Sequence, residues 1–485
     1  MLIIVVLLYV ALLFAISRQT GRSGTNEAFF RAERRAPWYL VAFGMVGASI
    51  SGVTFVSVPG MVGHSQMTYL QTCMGFILGY VVVALVLLPL YYRLNLTSIY
   101  AYLGQRLGAR SHKTGASFFL LSKMAGAAIK FYVVCIILQR FVAGPMGIPF
   151  VLTVVGLVLL IWLYTRRGGI KTLVWTDSLQ TLCLFSALLL IIYKVCADLG
   201  MSFTEAADAV RQSEWSRVFV VDDWLSPRNF WKQFVSGVFI VVVMTGLDQD
   251  MMQKNLTCRT LREAQKDMCS YGVLFLPANL LFLSLGVLLT LWYQQQGLVV
   301  PAMGDELLPQ YVEATAAGTG AASPSLLTLH ASLTAVFFVL GIVAASFSSA
   351  DSALTSLTTI YCVDICERPA DVDLRKRVHL AMCGIFVLFV LLFRWTNSTS
   401  LIDAVYTIVG YTYGPLLGLF AFGLLTRRRV ADRLVPCIAL AAPLLCFATD
   451  YAASRLWDYH FGYELLMLNG LFTFCGLWLT GPRND

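Results

Sequence analysis

Acidic and basic residues are scarce in this chain: 13% of its 485 residues are Asp, Glu, Lys or Arg, whereas 58% are hydrophobic. Soluble domains carry about 25% charged residues, so the shortage of charge argues against a soluble globular protein. The formal net charge is +8, but the bases stand in short clusters between apolar runs, as membrane orientation requires. Membrane orientation therefore accounts for the excess of Lys and Arg residues, and we predict no nucleic-acid partner.

Residues suited to a metal centre or a disulfide framework are also few or poorly spaced. The five histidines form no cluster, and the twelve cysteines are scattered. The nearest cysteine pair, Cys362 and Cys366, lacks a second pair at zinc-ligand spacing. The sequence predicts no transition metal and no organic cofactor.

Long apolar runs dominate the chain instead. We count thirteen of them, near 1–17, 38–62, 68–92, 114–142, 147–165, 172–197, 229–252, 270–295, 327–362, 378–393, 401–424, 433–450 and 463–480. A hydrocarbon core about 30 Å thick requires about 20 apolar residues per helix. Backbone groups in long apolar runs can stay paired in lipid only within helices. The predicted fold class is an all-α polytopic membrane protein with about 13 transmembrane helices.

The bases predict the orientation of these helices. With the N-terminus outside, every cluster of Lys and Arg falls on the cytoplasmic side. The clusters lie at 31–35, 93–113, 166–171, 254–266, 375–377 and 427–429. A signal peptide is the alternative for the first run, but no base precedes it and no small-residue cleavage site follows. We predict an uncleaved first helix, an outer N-terminus and a cytoplasmic C-terminus in the inner or plasma membrane.

Two of the apolar segments are interrupted by small and polar residues. The 38–62 segment contains four glycines interspersed with serine and threonine, and the 229–252 segment contains Thr245-Gly246 followed by Asp248. Such interruptions at corresponding places in two halves are typical of transporters with inverted repeats and a central binding site. Close helix packing is the alternative, because small residues also mediate ordinary helix contacts.

These interruptions suggest a division of the chain into two repeats and their flanks. The predicted parts are an extra helix and cytoplasmic loop (1–37), a first repeat of five helices (38–197), an extracytoplasmic loop with an interfacial helix (198–228), a second repeat of five helices (229–424) and two C-terminal helices (425–485).

A face of hydroxyl groups runs along the segment at 341–356. At about 100° per residue, Ala345, Ser348, Ser349 and Ser352 share one face of a helix, and Asp351 lies at its margin. Neutral oxygens can replace part of the hydration shell of Na⁺ when their geometry is fixed. Carbonyls freed where the 38–62 segment unwinds would complete the shell. Serine hydroxyls that bond back to their own helix are the alternative.

Charged side chains within the apolar runs form a second group of candidates. An ionised carboxylate at mid-bilayer costs about 2.5–3.5 kcal/mol, so Asp177 and Asp351 are expected to face a cavity or a cation. A position at the membrane interface is the alternative for Asp177 and for Asp248. Lys123 is expected to extend to the cytoplasmic interface. Lys130 is deeper, where it could meet Asp351 or an anionic substrate.

Several of these stretches together resemble the sodium:solute symporter family. The runs at 47–52, 174–177, 246–253, 344–349 and 411–419 carry the resemblance, which spans about residues 38–430. It implies a LeuT-type 5+5 inverted repeat with one preceding and two following helices. It also implies a symporter that imports a small polar or anionic solute by alternating access, with Na⁺ as the coupling ion.

The resemblance also implies the site residues. Sodium would bind carbonyls of Gly47 and Ile50 together with Ala345, Ser348 and Ser349. A second ion site would use Asp177, Asp351 and Ser352, with Asp351 standing where family members carry a hydroxyl. Substrate would contact Ser51, Thr54, Asp248 and Gln249, with Lys130 as a further candidate. Sugar carriers tend to have Glu-Gln where this chain has Val53-Thr54, so the resemblance favours the branch that carries anions and vitamins.

Other functions stay open at this point. A proton coupled through Asp177 or Asp351 is the main alternative within transport. A channel would need a filter repeat, and an integral membrane enzyme would need clustered histidines or paired acids at one membrane face. A sensor would need a signalling tail after the last helix. The predicted partners are a small-molecule substrate and the lipid bilayer, with the chain as a monomer or weak homo-oligomer.

Overall fold

The computed structural model describes residues 2–21, 24–224, 226–317, 333–396, 401–459 and 461–480. The principal helices in this part of the chain are α1 (Leu2–Thr20), α2 (Trp38–Ser49), α3 (Gly52–Ser65), α4 (Tyr69–Arg93), α5 (Ala109–Ala143), α6 (Phe150–Thr165), α7 (Ile170–Leu199), α8 (Phe203–Gln212), α9 (Phe230–Gly246), α10 (Gln249–Asn255), α11 (Leu261–Gln295), α12 (Leu307–Ala317), α13 (Leu333–Ile365), α14 (Val372–Thr396), α15 (Leu401–Thr412), α16 (Gly414–Leu425), α17 (Val435–Trp457) and α18 (Leu465–Thr480).

The helices confirm an all-α membrane fold but not the exact number of spans. By length and composition, eight helices of the described residues can cross a membrane, or up to eleven spans if each of three bent pairs counts as one. Two more apolar helices, α6 and α18, have 16 residues each. Sixteen residues reach only about 24 Å, which is short of a 30 Å core. The start of the segment predicted at 327–362 lies outside the described residues.

The first predicted interruption is present between α2 and α3. Ile50 and Ser51 are extended, and the two helices meet at a bend of 60°. Glycine is required on both sides of the break because neighbouring helices approach so closely. A methyl group on Gly47 would lie 2.0 Å from Thr181 Oγ1, and one on Gly52 would lie 2.3 Å from Ser346 Oγ. The break therefore lies against α7 and α13.

The second predicted interruption separates α9 from α10. The last turn of α9 is π-helical, Asp248 caps the N-terminus of α10 by accepting from Asp250 N at 2.8 Å, and the bend is 69°. Tyrosine hydroxyls compensate the carbonyls that the break releases: Tyr91 donates to Gly246 O at 2.9 Å and Tyr100 donates to Leu247 O at 2.7 Å.

A third break, which the sequence reading did not predict, lies between α15 and α16. These helices meet at a bend of 43° beside Tyr413, and Pro415 stands in the first turn of α16. Proline removes a backbone donor and clashes with the preceding turn, so it favours a helix start at this point. All three breaks contribute side chains to the centre of the molecule.

The core lies around α13, and α1 is peripheral. In the most apolar window of α13, 83% of the residues are buried, against 17% for α1. α13 packs against α5 and α7, and α7 also packs against α2. The hydroxyl face of α13 is therefore inside the protein and not in lipid.

A short β-bridge fastens the segment before α2 to the segment after α10. Ala36 pairs with Cys258, with Ala36 N donating to Thr257 O at 3.3 Å. Nearby, Gln253 Nε2 on α10 donates to Phe30 O at 2.8 Å. The two broken helices are thus joined at one end.

Candidate sodium and solute sites

The first break meets the hydroxyl face of α13. Ser349 Oγ donates to Ala48 O at 3.0 Å and to Ala345 O of its own helix at 3.3 Å. Ile50 and Ser348 are fully buried at the same junction. The structure thus brings a hydroxyl of α13 to a carbonyl in the last turn of α2, next to Gly47.

Ser348 turns toward α7 and a buried ion pair. Its Oγ donates to Asp177 Oδ1 at 2.7 Å, and Asp177 Oδ2 lies 2.8 Å from Lys254 Nζ. The side chains of Asp177 and Lys254 are 1% and 2% exposed. Asp177 is therefore inside the protein, between α7, α10 and α13. Lys254, which we had assigned to a cytoplasmic loop, is buried instead, because the second break directs α10 into the core.

Asp351 and Ser352 lie about one helical turn beyond Ser348 on α13, and Asp351 contacts α6. Asp351 Oδ2 accepts from Tyr164 OH of α6 at 2.5 Å, and Ser352 Oγ donates to Asp351 Oδ1 at 3.3 Å. Both residues are buried. The contacts of Asp351 are thus hydroxyl groups, and the alternative pairing with Lys130 is not seen.

A cavity of about 100 Å³ lies beside the first two breaks. Its polar lining comes from α2 to α5, from α9, α11 and α15, and from the second break; these residues are Ser49, Ser51, Thr54, Tyr69, Tyr80, Lys123, Lys130, Thr245, Asp248, Tyr271 and Tyr406. Four of the five predicted substrate residues therefore line it. Gln249 does not: it accepts from Ile99 N at 3.0 Å and donates to Thr97 O at 2.9 Å, so its amide holds the 97–99 loop.

Lys123 closes one end of this cavity. Its ammonium lies 2.7 Å from Asp250 Oδ2 and 3.1 Å from Asp248 Oδ2, and Tyr413 OH donates to Asp248 Oδ2 at 2.8 Å. The Lys123 side chain is 12% exposed. The expectation that Lys123 reaches the cytoplasmic interface is wrong, because the second break supplies it with two acids inside the protein.

Lys130 lies two helical turns from Lys123 on the same helix, about 10 Å along its axis. It is half-buried and lines the cavity. Within the described residues its ammonium takes part in no ion pair or hydrogen bond. At the other end of the cavity, the hydroxyls of Tyr69 and Tyr406 are 2.9 Å apart. Within the described residues, Lys130 is thus a cavity cation without an ion-pair partner, between the Lys123 ion pairs at one end and the Tyr69–Tyr406 contact at the other.

Broken helices that meet around a buried polar cavity define a secondary transporter. The family model described as "Sodium:solute symporter family" matches residues 29–432, and the chain belongs to that family. It is therefore a sodium-coupled symporter that works by alternating access, with Na⁺ as the coupling ion, and not an enzyme. Proton coupling is not favoured.

Several characterised symporters are similar over most of their length. The sodium/sialic acid symporter SiaT of Proteus mirabilis is 25% identical, with 85% of this chain and 82% of that protein covered. The sodium/sialic acid symporter NanT of Aliivibrio fischeri is 25% identical, with 85% and 80% covered. A sodium-dependent multivitamin transporter of Oryctolagus cuniculus is 26% identical, with 81% and 60% covered.

Solved structures establish the LeuT-type fold. A sodium-coupled sialic acid symporter in a substrate-bound, outward-open state superposes with a TM-score of 0.80 at 22% identity, with 98% of this chain and 96% of that chain covered. Mhp1, a nucleobase-cation-symport-1 transporter in a closed conformation, superposes with a TM-score of 0.58 at 15% identity, with 92% of each chain covered. The LeuT-type fold is confirmed, whereas the exact number of helices is not.

Proposed function

We propose that this symporter imports a small organic anion and that Lys130 binds its negative group. The observation that carries the proposal is the uncompensated Lys130 ammonium in the central cavity. A buried charge without a partner is costly, and an anionic solute would supply the partner. The similarity to carriers of sialic acid, iodide and monocarboxylates agrees with this class of solute.

Hydroxyl groups of the same cavity would bind the rest of the solute. Ser51 and Thr54 follow the first break, and Asp248 lies at the second. Gln249 would act indirectly, by holding the 97–99 loop against α10. A few placed polar groups within an apolar and aromatic lining are typical of a selective small-molecule site.

The sodium ion would bind between the first break and α13. The carbonyls of Gly47, Ile50 and Ala345 would supply part of its shell, and the hydroxyls of Ser348 and Ser349 the rest. The support is the hydrogen bond from Ser349 Oγ to Ala48 O, in the last turn of α2 before the break.

We assign the second candidate site a different role. The Lys254 ammonium already compensates Asp177, which accepts from Ser348, about one turn from Asp351 and Ser352 on α13. A lysine ammonium and a sodium ion carry the same charge, so Lys254 would take the place of a second sodium ion. One sodium ion per transport cycle follows.

The wider organisation is proposed from the same features. Residues 38–197 and 229–424 would form the two inverted repeats, because each begins with a broken helix. Residues 1–37 and 425–485 would flank them, with 198–228 as an outer loop that contains α8. The N-terminus would lie outside and the C-terminus in the cytoplasm. The protein would work as a monomer or weak homo-oligomer, without an organic cofactor.

Uptake into proteoliposomes tests the role of Lys130. A thermal-shift screen of carboxylates, sugars and vitamins, with sodium or with choline, first identifies the solute. Lys130→Gln should then raise the KM for the anion at least about tenfold, a cost of about 1.4 kcal/mol, and Lys130→Arg should restore part of the affinity.

The matched control is Lys113→Gln on the same helix. Lys113 pairs with Glu367 at the surface, 3.1 Å away, so its loss should leave KM unchanged. Equal KM values for Lys130→Gln and the unmodified protein would contradict the role of Lys130. Sodium-independent uptake would instead contradict the coupling.

A further inference from the structure

A second cavity, of about 450 Å³, lies away from the transport pathway. Arg166, Arg167, Arg375 and Lys376 line it together with Trp162 and two glycines. It lies where α1 and α6 end and where α14 begins. By the distribution of basic clusters, this is the cytoplasmic end of all three helices.

Lys376 pairs with Asp373 at 3.0 Å, but the three arginines of this cavity form no ion pair within the described residues. Arg375 is 2% exposed, yet its Nη atoms donate only to the carbonyls of Gly24 and Thr25, at 3.2 Å each. Its buried Nε has no hydrogen-bond partner. Arg166 and Arg167 are exposed and form no ion pair in the described part of the chain. Such a cluster of like charges favours a bound anion.

Two of the helices that end at the cavity, α1 and α6, expose apolar side chains along the rest of their length. α1 is mostly exposed, with Leu8 and Leu12 at 65% and 46%, and α6 exposes Leu159 at 49%. Trp162, one turn after Leu159, stacks against Arg166, whose guanidinium carbon lies 5.0 Å from the ring centroid. Tryptophan and arginine together are typical of the headgroup level of a bilayer. The cavity therefore opens where lipid phosphates lie.

We propose that this cavity binds the phosphate group of an anionic phospholipid. Guanidinium groups fit phosphate oxygens in a bidentate manner, and basic pockets between transmembrane helices on the cytoplasmic side are suited to anionic headgroups. Arg375 Nε and the guanidinium groups of Arg166 and Arg167 would donate to the phosphate oxygens. The acyl chains would lie along α1 and α6.

The test measures the thermal stability of the whole protein in detergent during titration with lipid. Phosphatidylglycerol should raise Tm saturably, whereas phosphatidylcholine should not. Native mass spectrometry should show phosphatidylglycerol retained on the protein. Arg166→Gln/Arg167→Gln should weaken the effect at least about tenfold and remove one retained lipid. Arg375 stays unchanged because it also holds the backbone at Gly24 and Thr25.

The matched control removes the same charge from the same side. Arg427→Gln/Arg429→Gln changes two exposed arginines that do not line the cavity, so the response to phosphatidylglycerol should stay intact. Equal responses of the two double variants would overturn the proposal. Glycerol phosphate or inorganic phosphate that stabilises the protein as well as the lipid does would also overturn it, since the site would then bind a free phosphate.

Discussion

Ser348 and Ser349 are adjacent on α13, yet their hydroxyls have different partners. Ser349 contacts the broken helix, and Ser348 contacts the Asp177–Lys254 pair. The proposed sodium site and the buried ion pair are therefore neighbours, one residue apart. A substitution in either of them should therefore alter the dependence of uptake or of Tm on sodium.

Removal of the Ser349 hydroxyl tests the sodium site. Ser349→Ala should raise the sodium concentration for half-maximal uptake about tenfold, because one ligand worth about 1.4 kcal/mol is lost. The measurement is uptake against sodium at constant ionic strength. Ser356→Ala is the control, since Ser356 Oγ bonds only to Ala353 O of its own helix. An unchanged sodium dependence in Ser349→Ala would remove this residue from the site.

Removal of Lys254 tests the number of sodium ions. Lys254→Met leaves Asp177 as an uncompensated buried carboxylate, which should cost about 3–5 kcal/mol of stability. Sodium should restore part of the loss by binding at Asp177, so Tm should rise more steeply with sodium than in the unmodified protein. The double variant Lys254→Met/Asp177→Asn lacks the unpaired charge and should lose that extra dependence. A similar sodium dependence of Tm in all three proteins would contradict our assignment.

The sequence predicted the polar residues of the candidate site and some of their contacts, but not the ion pairs. The serines of α13 and the glycines of the first break were predicted to come together, and Ser349 contacts Ala48 accordingly. Lys254 was missed because it follows the second apolar run, where a straight helix would have carried it out of the membrane. Lys123 was misplaced for the same reason, since its two acids reach it only through the bend.

The broken helices depend on glycines that admit a neighbouring helix. Gly52→Ala should destabilise the protein, because the new methyl group would lie 2.3 Å from Ser346 Oγ. Ser346→Ala should rescue it: Ser346 Oγ has no hydrogen-bond partner in the described structure, and the next nearest atom, on Val133, is 3.6 Å away. The measurement is Tm of the two single variants and of the double variant.

Gly47→Ala provides the contrasting case. Its methyl group would meet not only Thr181 Oγ1 but also the Cβ and Cα of Thr181, at 2.8 and 3.0 Å. Thr181→Ala should therefore fail to rescue it. If Ser346→Ala also failed to rescue Gly52→Ala, the close approach of α3 to α13 would not be the reason for glycine at position 52.

The sequence also predicted the breaks unevenly. Clusters of glycine and polar residues predicted the breaks beside Gly47 and Gly246. The third break was not foreseen, because only Gly414 and Pro415 interrupt an otherwise apolar run and such a pair is also common at an ordinary kink. What the sequence could not give is the angle of each bend, which depends on the helices packed against it.

For the whole molecule, one sodium ion and one monovalent anion carry no net charge. We therefore expect uptake of a monoanion to respond to the sodium gradient but not to the membrane potential. A tenfold sodium gradient would then support about tenfold accumulation, equivalent to about 1.4 kcal/mol. The measurement is uptake into proteoliposomes with a potassium diffusion potential set by valinomycin. Strong stimulation by an inside-negative potential would instead indicate more than one sodium ion per anion.

The overall architecture was predictable because apolar length and basic loops are strong signals in membranes. The number of transmembrane spans was less predictable, because α6 and α18 are shorter than a bilayer core and three spans are each divided into two helices. The identity of the solute depends on the shape of one cavity, and no pattern of residues along the chain encodes that shape.

The bridge between Ala36 and Cys258 has a mechanical consequence. It joins the residues that precede α2 to the residues that follow α10, so a tilt of either helix would also move the other. α2 and α10 would then tilt together and not independently. Sodium and solute would then be released in the same conformational change.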